Sequence, residues 1–443
     1  MKGVVIAGTG SGAGKTSIAT GLMSVISKRM NVQPYKVGPD FIDTMYHSAA
    51  TGNFSRNLDA FMNSEDTIRN LVGYTSKDAD LCIIEGVRGL YEGISATSDQ
   101  CSTAQIAKIL GLPVVLVMDV RSLTRSTAAI LNGFRSFDKD VKIGGVILNN
   151  VSGPQHEEKL RTVLREHCEG VNIIGVVGYH SECALKQRHL GLSVIKGSKK
   201  EIEPLEILAG DIDIDQFLSV AEDTDIDLPS LDIYCKHDFG TSVAIPMDAA
   251  YCFYYRENIE CLQSAGMDVK FFSPLNGDML PNADVYYIGG GYPELYLEEV
   301  SSNKDFMDGL KSASDDGKAI IGECGGLMTM CQNTIVGHNI YKMSGIFNAD
   351  AKICGRHGPK YVVAKCTECN KMFNYPVIRG HEFHYSSIQP KQEYDYFYYI
   401  SRGTGIIDSM DGITIKNSVG SYMYQHCLSM SDWASGVQRI VNS

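Results

Sequence analysis

Short apolar runs punctuate the chain, and helix-type or glycine-rich stretches separate them. In the first half the runs are Val4–Ala7, Val32–Val37, Leu81–Ile84, Val114–Met118, Val146–Leu148 and Ile173–Val177. Strands alternating with helices predict right-handed βαβ crossovers and a mainly parallel, doubly wound sheet. From Glu201 to Lys236 the pattern turns acidic and weakly periodic, ending in Glu-Asp-Thr-Asp-Ile-Asp-Leu-Pro. A second α/β series follows, with strands predicted at Val243–Pro246, Val269–Phe272, Val285–Ile288 and Ala319–Ile321. The expected organisation is therefore a first α/β domain over 1–225, a linker over 226–240 and a second α/β domain over 241–443.

Composition narrows the function classes. At 443 residues, with 44% hydrophobic and 21% charged residues, the chain has the make-up of a soluble protein with two sizeable cores. Its longest apolar run, around Gly111–Val120, falls far short of the ~20 residues that span a bilayer. The first residues lead straight into a strand and a glycine loop, which does not read as a signal peptide. A net charge of −12 argues against general nucleic-acid binding. Thirteen cysteines, an odd number scattered along the chain, read as reduced thiols, and the expected location is the cytoplasm.

Two motifs carry chemistry. Gly8-Thr-Gly-Ser-Gly-Ala-Gly-Lys15-Thr16 follows an apolar strand and precedes the helix-type run Ser17–Lys28. Glycines there let backbone N–H groups close around phosphate oxygens, and a helix N-terminus adds its positive end. Gly12, Gly14, Lys15, Thr16 and Ser17 are the expected nucleotide-binding residues, Lys15 for the terminal phosphates and the Thr16 hydroxyl for Mg²⁺. The spacing departs from the usual one, since Thr9 stands where a glycine is common and the glycine falls one earlier, at Gly8. Glu85 ends the strand Leu81–Ile84 and suits a second Mg²⁺ contact. Asp40 and Asp43 follow the second strand, on the carboxyl edge where open α/β sheets bind ligands, and could hold metal between nucleotide and acceptor. A turn around Pro39 with solvated acids is the plainer reading of those two.

In the second domain Ala319-Ile-Ile-Gly322-Glu323-Cys324-Gly325-Gly326 reads as strand, sharp turn and helix, the cysteine form of a nucleophile elbow. A helix N-terminus is expected to lower the thiol pKa of Cys324. Gly290 and Gly291, in Gly289-Gly-Gly291-Tyr-Pro-Glu294, supply with Gly325 the backbone donors for an oxyanion hole. His426 is the candidate general base. His381 and His384 have tolerable spacing for zinc but read better as substrate contacts, and Cys366-Thr-Glu-Cys369, with Cys354 and His357 only loosely in range, reads as free thiols.

With both motifs in place the chain resembles the cobyrinic acid a,c-diamide synthase family, which joins a dethiobiotin-synthetase-like domain to a class I glutamine amidotransferase-like domain. The likeness covers almost the whole chain. It runs through Gly8–Thr16, Lys36–His47, Ser55–Asp59, Glu85–Tyr91, Ser102–Lys108, Gly145–Asn149 and Arg188–Leu192, then Asp248–Tyr255, Gly289–Leu295, Gly322–Met328 and Gly380–Ser386.

The resemblance implies that ATP and Mg²⁺ convert a peripheral acetate of an anionic tetrapyrrole into an acyl phosphate. Ammonia released from L-glutamine at Cys324 then displaces phosphate. It implies that Asp40, Asp43 and Glu85 organise metal, γ-phosphate and acceptor carboxylate, and that Asn149 lies near the adenine. The macrocycle is left open between cobyrinate and, in methanogens, nickel sirohydrochlorin, and a homo-oligomer is left open too. Three departures stand out: Arg88 where an apolar residue is common, Glu92 where the family tends to Asp, and Tyr422-Met-Tyr424-Gln-His426 for the usual Tyr-x-His-x-His. The last leaves His426 as the surviving histidine. The rival readings are a P-loop switch ATPase carrying an inert amidotransferase-like module, and an amidoligase acting on a biotin-type or cell-wall acceptor.

Overall fold

The computed structural model describes residues 1–180, 187–188, 191–192, 201–224, 233–373, 375–430 and 432–443. The chain divides into two compact units, Met1–Ile233 and Tyr234–Ser443. Residues 226–232 of the expected linker lie outside the described residues, as do His189 and Leu190 of the Arg188–Leu192 string.

In the first unit the strands are β1 (Lys2–Gly8), β2 (Val32–Val37), β3 (Arg56–Leu58), β4 (Leu81–Glu85), β5 (Val114–Asp119), β6 (Ile143–Val151) and β7 (Ile173–Gly178). They alternate with helices α1 (Lys15–Ser27), α2 (Phe41–Thr51), α3 (Glu65–Thr75), α4 (Thr103–Leu110), α5 (Arg125–Phe137) and α6 (Pro154–His167). The sheet order is β3-β2-β4-β1-β5-β6-β7, and every neighbouring pair on that path is parallel. All six predicted strands are present; β3, at three residues, was too short to be legible. β2 and β4 are buried along their whole length, as expected of parallel strands covered on both faces.

The segment after Glu201, weakly periodic in sequence, is structured in its described part. The backbone of β8 (Gln187–Arg188) pairs antiparallel with β9 (Gly191–Leu192). Helices α7 (Glu206–Gly210) and α8 (Ile214–Val220) follow, and β10 (Glu222–Asp223) pairs antiparallel with β1. Ile202, Leu205, Leu208, Ala209, Ile212 and Phe217 enter the same core as Ile18, Leu22 and Ile26 of α1. Gly21 permits that contact, because a Cβ there would fall 2.3 Å from the Leu205 carbonyl oxygen.

The second unit begins with β11 (Ser242–Pro246), α9 (Arg256–Ser264), β12 (Asp268–Phe272), β13 (Val285–Ile288), α10 (Leu297–Ser302), α11 (Lys304–Asp315), β14 (Ala319–Glu323) and α12 (Gly325–Met330). Strands β15 (Cys331–Val336), β16 (Asn339–Lys342), β17 (Phe347–Cys366), β18 (Val377–Pro390), β19 (Asp395–Arg402), β20 (Met410–Ile415), β21 (Ser418–Ser421) and β22 (Tyr424–Gln425) follow, then α13 (Trp433–Val441). The main path is β12-β11-β13-β14-β21-β20-β19-β17-β15-β16, with β18 bridging β17 and β22. The first five strands are parallel; the chain then turns back on itself through antiparallel pairs. This half was not predicted strand by strand. Its hairpin from β20 to β21 turns at Lys416, with φ 52°, and lacks the Asn-Gly signal that marks such turns in a sequence. Among the described residues no helix is long and apolar enough to cross a membrane, and the described cysteines are free thiols.

One consequence is measurable. Gly21→Ala should gain about 1 kcal/mol of helix propensity yet lose about 1–3 kcal/mol to overpacking against Leu205. Faster hydrogen exchange of the α1 amides in the variant is the expected result. Slower or equal exchange would mean that 202–217 does not pack on α1.

Candidate active sites

β1 ends in the glycine loop, and α1 starts at Lys15 with Gly14 as its N-cap at φ 93° and no capping side chain. Gly12 is also left-handed, at φ 78°, a conformation that suits glycine. Asn149, which the resemblance put near the adenine, also braces this loop. Its Nδ2 donates to the Ala13 carbonyl at 2.9 Å, and any Cβ on Gly14 would meet that amide at 2.2 Å. Lys15 is buried, with Nζ 3.3 Å from the Gly10 carbonyl. Burial, then the charge of Lys36, lowers its pKa to about 8. Ser17, in the first turn of α1, is half-buried. The loop after β4 lies against the glycine loop: Leu90 N donates to the Gly8 carbonyl at 2.9 Å, and a Cβ on Gly89 would sit 3.4 Å from Gly10 Cα.

Strand register assembles the charged cluster. Lys36 and Glu85 are partners on β2 and β4, and Ile6 faces Glu85 from β1, so these side chains reach the carboxyl edge together. Lys36 Nζ stands 2.9 Å from Glu85 Oε1 and 2.6 Å from Asp43 Oδ2. The Thr16 hydroxyl donates to Glu85 Oε1 at 2.7 Å and lies 3.4 Å from Asp43 Oδ2. His47 Nε2 meets Glu85 Oε2 at 2.6 Å. Burial alone would raise the Glu85 carboxyl; Lys36 and the hydrogen bonds from His47 and Thr16 overcome it and hold the group well below the carboxylate range. Asp43 goes the other way, pushed up to about 7 by burial and the neighbouring Asp40 charge against the pull of Lys36. Asp43 is thus the acid in this cluster that takes a proton most readily.

Asp40 stands beside this cluster and also caps the next helix. Its Oδ1 accepts from Ile42 N at 2.8 Å and Asp43 N at 3.0 Å, capping α2 and so aiming Asp43. Lys36 and His47, not singled out as site residues from sequence, are as closely engaged as the acids. A lysine five residues into a strand carries no sequence signal of its own; only register reveals it. Thr16 Oγ1, Asp43 Oδ2 and Glu85 Oε1 form a set of hard oxygens at mutual distances that suit Mg²⁺, with Lys36 sharing the same carboxylates.

In the second unit the elbow has the expected form. Cys324 follows β14 with φ 50° and ψ −96°, outside the regions L-residues favour. Its N–H donates to the Ser421 carbonyl at 2.8 Å. Glycines make the close approaches: a Cβ on Gly326 would fall 2.0 Å from the Ile288 carbonyl oxygen, and one on Gly291 2.1 Å from that of Ala250. Gly325 and Gly290 come together, since a Cβ on Gly325 would lie 3.5 Å from Gly290 Cα. The thiol itself departs from expectation. Burial, with the charges of Glu294 and Glu323, pushes Cys324 up to about 12 against the pull of Tyr424 and the Gly325 N–H.

His426 contacts Leu428, Glu257 and Tyr255. Its Nδ1 accepts from Leu428 N at 3.3 Å, and its Nε2 lies 3.6 Å from Glu257 Oε2. The ring packs edge-on against Tyr255 at 4.6 Å. The Cys324 thiol donates to the Phe383 carbonyl, at 3.5 Å from Sγ, and the Tyr424 side chain acts to lower its pKa against burial. Two buried acids deliver Tyr424. Asp411 accepts from Ser421 Oγ, Tyr422 N and Met423 N at 2.8, 3.0 and 3.1 Å. Glu323 accepts from Tyr287 Oη at 2.7 Å and Gln425 N at 3.1 Å. His381 and His384 are buried, with Nδ1 of each engaged by Tyr255 Oη at 3.0 Å and the Ser386 carbonyl at 2.7 Å. Among the described residues no group of three or more His, Cys, Asp or Glu could hold a metal.

Comparison with known proteins agrees with this division. Residues 4–192 match the CobQ/CobB/MinD/ParA nucleotide binding domain, and residues 242–431 the CobB/CobQ-like glutamine amidotransferase domain. The chain is 42% identical to the cobyrinate a,c-diamide synthase of Methanococcus vannielii, over 99% of this chain and 100% of that one. It is 42% identical to that of Methanocaldococcus jannaschii, covering 99% and 98%, and 40% identical to that of Methanothermobacter thermautotrophicus, covering 98% of each. Likeness of that degree along both chains, with each unit matched by its own domain type, places this chain in the cobyrinate a,c-diamide synthase family.

Proposed function

We propose that this protein uses ATP and glutamine to amidate the a and c acetates of cobyrinate through an acyl phosphate. The observation that carries the reading is the convergence of Lys15, Thr16, Lys36, Asp43 and Glu85 at one sheet edge, in a chain whose second unit holds a cysteine elbow. A triphosphate and an acceptor carboxylate repel each other, so a site that joins them has to supply positive charge at the point of contact. Lys15 and the loop amides face the phosphates; Lys36, held between two carboxylates, stands where a third carboxylate would approach. Mg²⁺, when held by Thr16, Asp43 and Glu85, supplies charge neutralisation and alignment for phosphoryl transfer. His47 fixes one oxygen of Glu85, so the other is presented to Thr16 and Lys36. In the second unit the Cys324 sulfur attacks the glutamine carboxamide. Backbone N–H groups near Gly290 and Gly325 stabilise the oxyanion, and the ammonia released displaces phosphate from the activated acetate.

The assay supplies ATP with glutamine or ammonium and offers cobyrinate and nickel sirohydrochlorin separately, with products read by mass. Two amidations of cobyrinate are expected. Diamide from the nickel macrocycle alone would transfer the same chemistry to that acceptor, and no amide from either would favour the switch-ATPase reading.

Three variants divide the roles. Cys324→Ala should abolish glutamine-dependent synthesis while synthesis from ammonium persists; continued use of glutamine would remove Cys324 as the nucleophile. Lys15→Ala should eliminate synthesis with either nitrogen source, and normal ATP-driven amidation by it would overturn the phosphate assignment. Asp43→Asn should lower turnover by roughly two to four orders of magnitude with a much smaller change in ATP affinity, since Lys15 and the loop amides remain. Near-wild-type turnover in a preparation that binds ATP would reduce Asp43 to a structural acid.

A further inference from the structure

The proposed phosphoryl-transfer site has to hold an anionic acceptor beside a triphosphate, yet its lysines are already committed. Lys15 is buried, with Nζ 3.3 Å from the Gly10 carbonyl. Lys36 stands between Asp43 and Glu85, at 2.6 and 2.9 Å. A further cation lies on the stretch that follows β4. Arg88 is exposed and its neighbours are not: Glu85, Gly86, Gly89 and Leu90 are buried and Val87 is half-buried. Among the described residues no hydrogen bond or ion pair engages its guanidinium, and the exposed Glu92, four residues on, is not paired with it.

The backbone around Arg88 is fixed from both sides. Lys36 Nζ donates to the Gly86 carbonyl at 3.0 Å. Val87 N donates to Thr103 Oγ1 at 2.9 Å, and that hydroxyl donates back to the Val87 carbonyl at 3.1 Å. Leu90 N donates to the Gly8 carbonyl, and the Leu90 carbonyl accepts from Ala104 N, both at 2.9 Å. Held this way, Arg88 adopts φ 49°, a left-handed conformation that a residue with a Cβ takes up only at a cost. The same bonds lay 86–90 across the site. A Cβ on Gly38, in the loop after β2, would lie 3.8 Å from Val87 Cγ2. One on Gly89 would lie 3.4 Å from the Thr9 carbonyl oxygen and from Gly10 Cα. Arg88 thus stands between a residue that touches the loop leading to the acids and one that touches the glycine loop.

We propose that Arg88 is a specificity-determining residue of the acceptor site, its guanidinium binding a peripheral carboxylate of the macrocycle before phosphoryl transfer. This rests on the amidoligase reading above. A guanidinium presents two parallel N–H donors that match a carboxylate. Exposure fits it to the acceptor and not to the phosphates. The loop amides and the buried Lys15 face the triphosphate, whereas a large anion arriving from solution meets the exposed side chain of this bridge. A backbone already fixed lowers the ordering cost of that binding. No bond forms or breaks at Arg88, so its contribution shows in KM for the acceptor and not in kcat.

The test uses the full chain and two substitutions. Arg88→Gly removes the guanidinium and accepts φ 49° without strain; Arg88→Lys keeps a charge and loses the planar fork. Cobyrinate binding is read by isothermal titration calorimetry without ATP, and amidation by mass with ATP and glutamine. Arg88→Gly should weaken cobyrinate binding and raise its KM by about tenfold or more, the loss of charge-assisted hydrogen bonds. Its kcat at saturating cobyrinate should fall by less than about threefold, and KM for ATP should stay within about twofold. Arg88→Lys should recover part of the affinity, a rescue that a merely structural residue would not give. Equal cobyrinate affinity in wild type and Arg88→Gly overturns the proposal. So does a fall in kcat at unchanged KM, which would put the guanidinium on the transferring phosphoryl group. Weakened binding in Arg88→Gly with partial recovery in Arg88→Lys upholds it even where wild type makes no amide, a result that would sink the amidoligase reading alone.

Discussion

Glu85 is a fully buried carboxylate at the end of a central strand, and the first unit is arranged so that this charge is tolerable. An unpaired carboxylate in such a place would take up a proton or destabilise the fold by several kcal/mol. Here Lys36, His47 and Thr16 all reach it, each from a different element. The P-loop helix brings the hydroxyl, β2 the ammonium and α2 the imidazole. Compensating one charge therefore ties β2, β4, α1 and α2 into a single arrangement, and the same arrangement lays out the proposed phosphoryl-transfer site. Asp40 belongs to it indirectly, because by capping α2 it holds Asp43 and His47 in line.

The second unit meets a comparable demand with backbone strain and two buried acids. Cys324 holds a positive φ because its N–H is tied to Ser421 and glycines on both sides admit the neighbouring carbonyls. Glu323 and Asp411 then pin the segment 421–425 that carries Tyr424. Burial leaves both acids raised, to about 7 and about 6, yet each accepts several hydrogen bonds, which is what makes a buried carboxyl affordable. Fixing the strand matters because β22 has only two residues, too short to hold a phenol in place by its own pairing.

Much of this was legible along the chain, for reasons that differ from residue to residue. The parallel strands announce themselves because strands covered on both faces are apolar and bounded by glycine or acid. The glycine loop and the cysteine elbow are local motifs, in which neighbours in sequence are neighbours in space. Contacts made across strands left no such trace. Lys36 and His47 owe their places to register and to the aim of α2. The segment after Glu201 packs on α1 through Leu205, Leu208 and Ala209, at a close approach that Gly21 permits and no periodicity reveals. The antiparallel half of the second unit is stitched by long-range pairs and by turns without marked residues.

By itself, then, the sequence determined the two-unit α/β organisation, the glycine loop, the acids at the carboxyl edge and the cysteine elbow, since each is written in residues close together along the chain. The tertiary structure alone decided how those residues are used. It showed Asp40 capping a helix and Asn149 bracing the loop, because hydrogen-bond partners are set by distance in space. It buried the Cys324 thiol, and desolvation with the nearby Glu294 and Glu323 charges raises it where a helix terminus had suggested lowering it. It directed His426 toward Glu257 and brought Tyr424 near Cys324, because adjacent residues on a strand point to opposite faces and residues two apart need not stay equivalent once the strand ends.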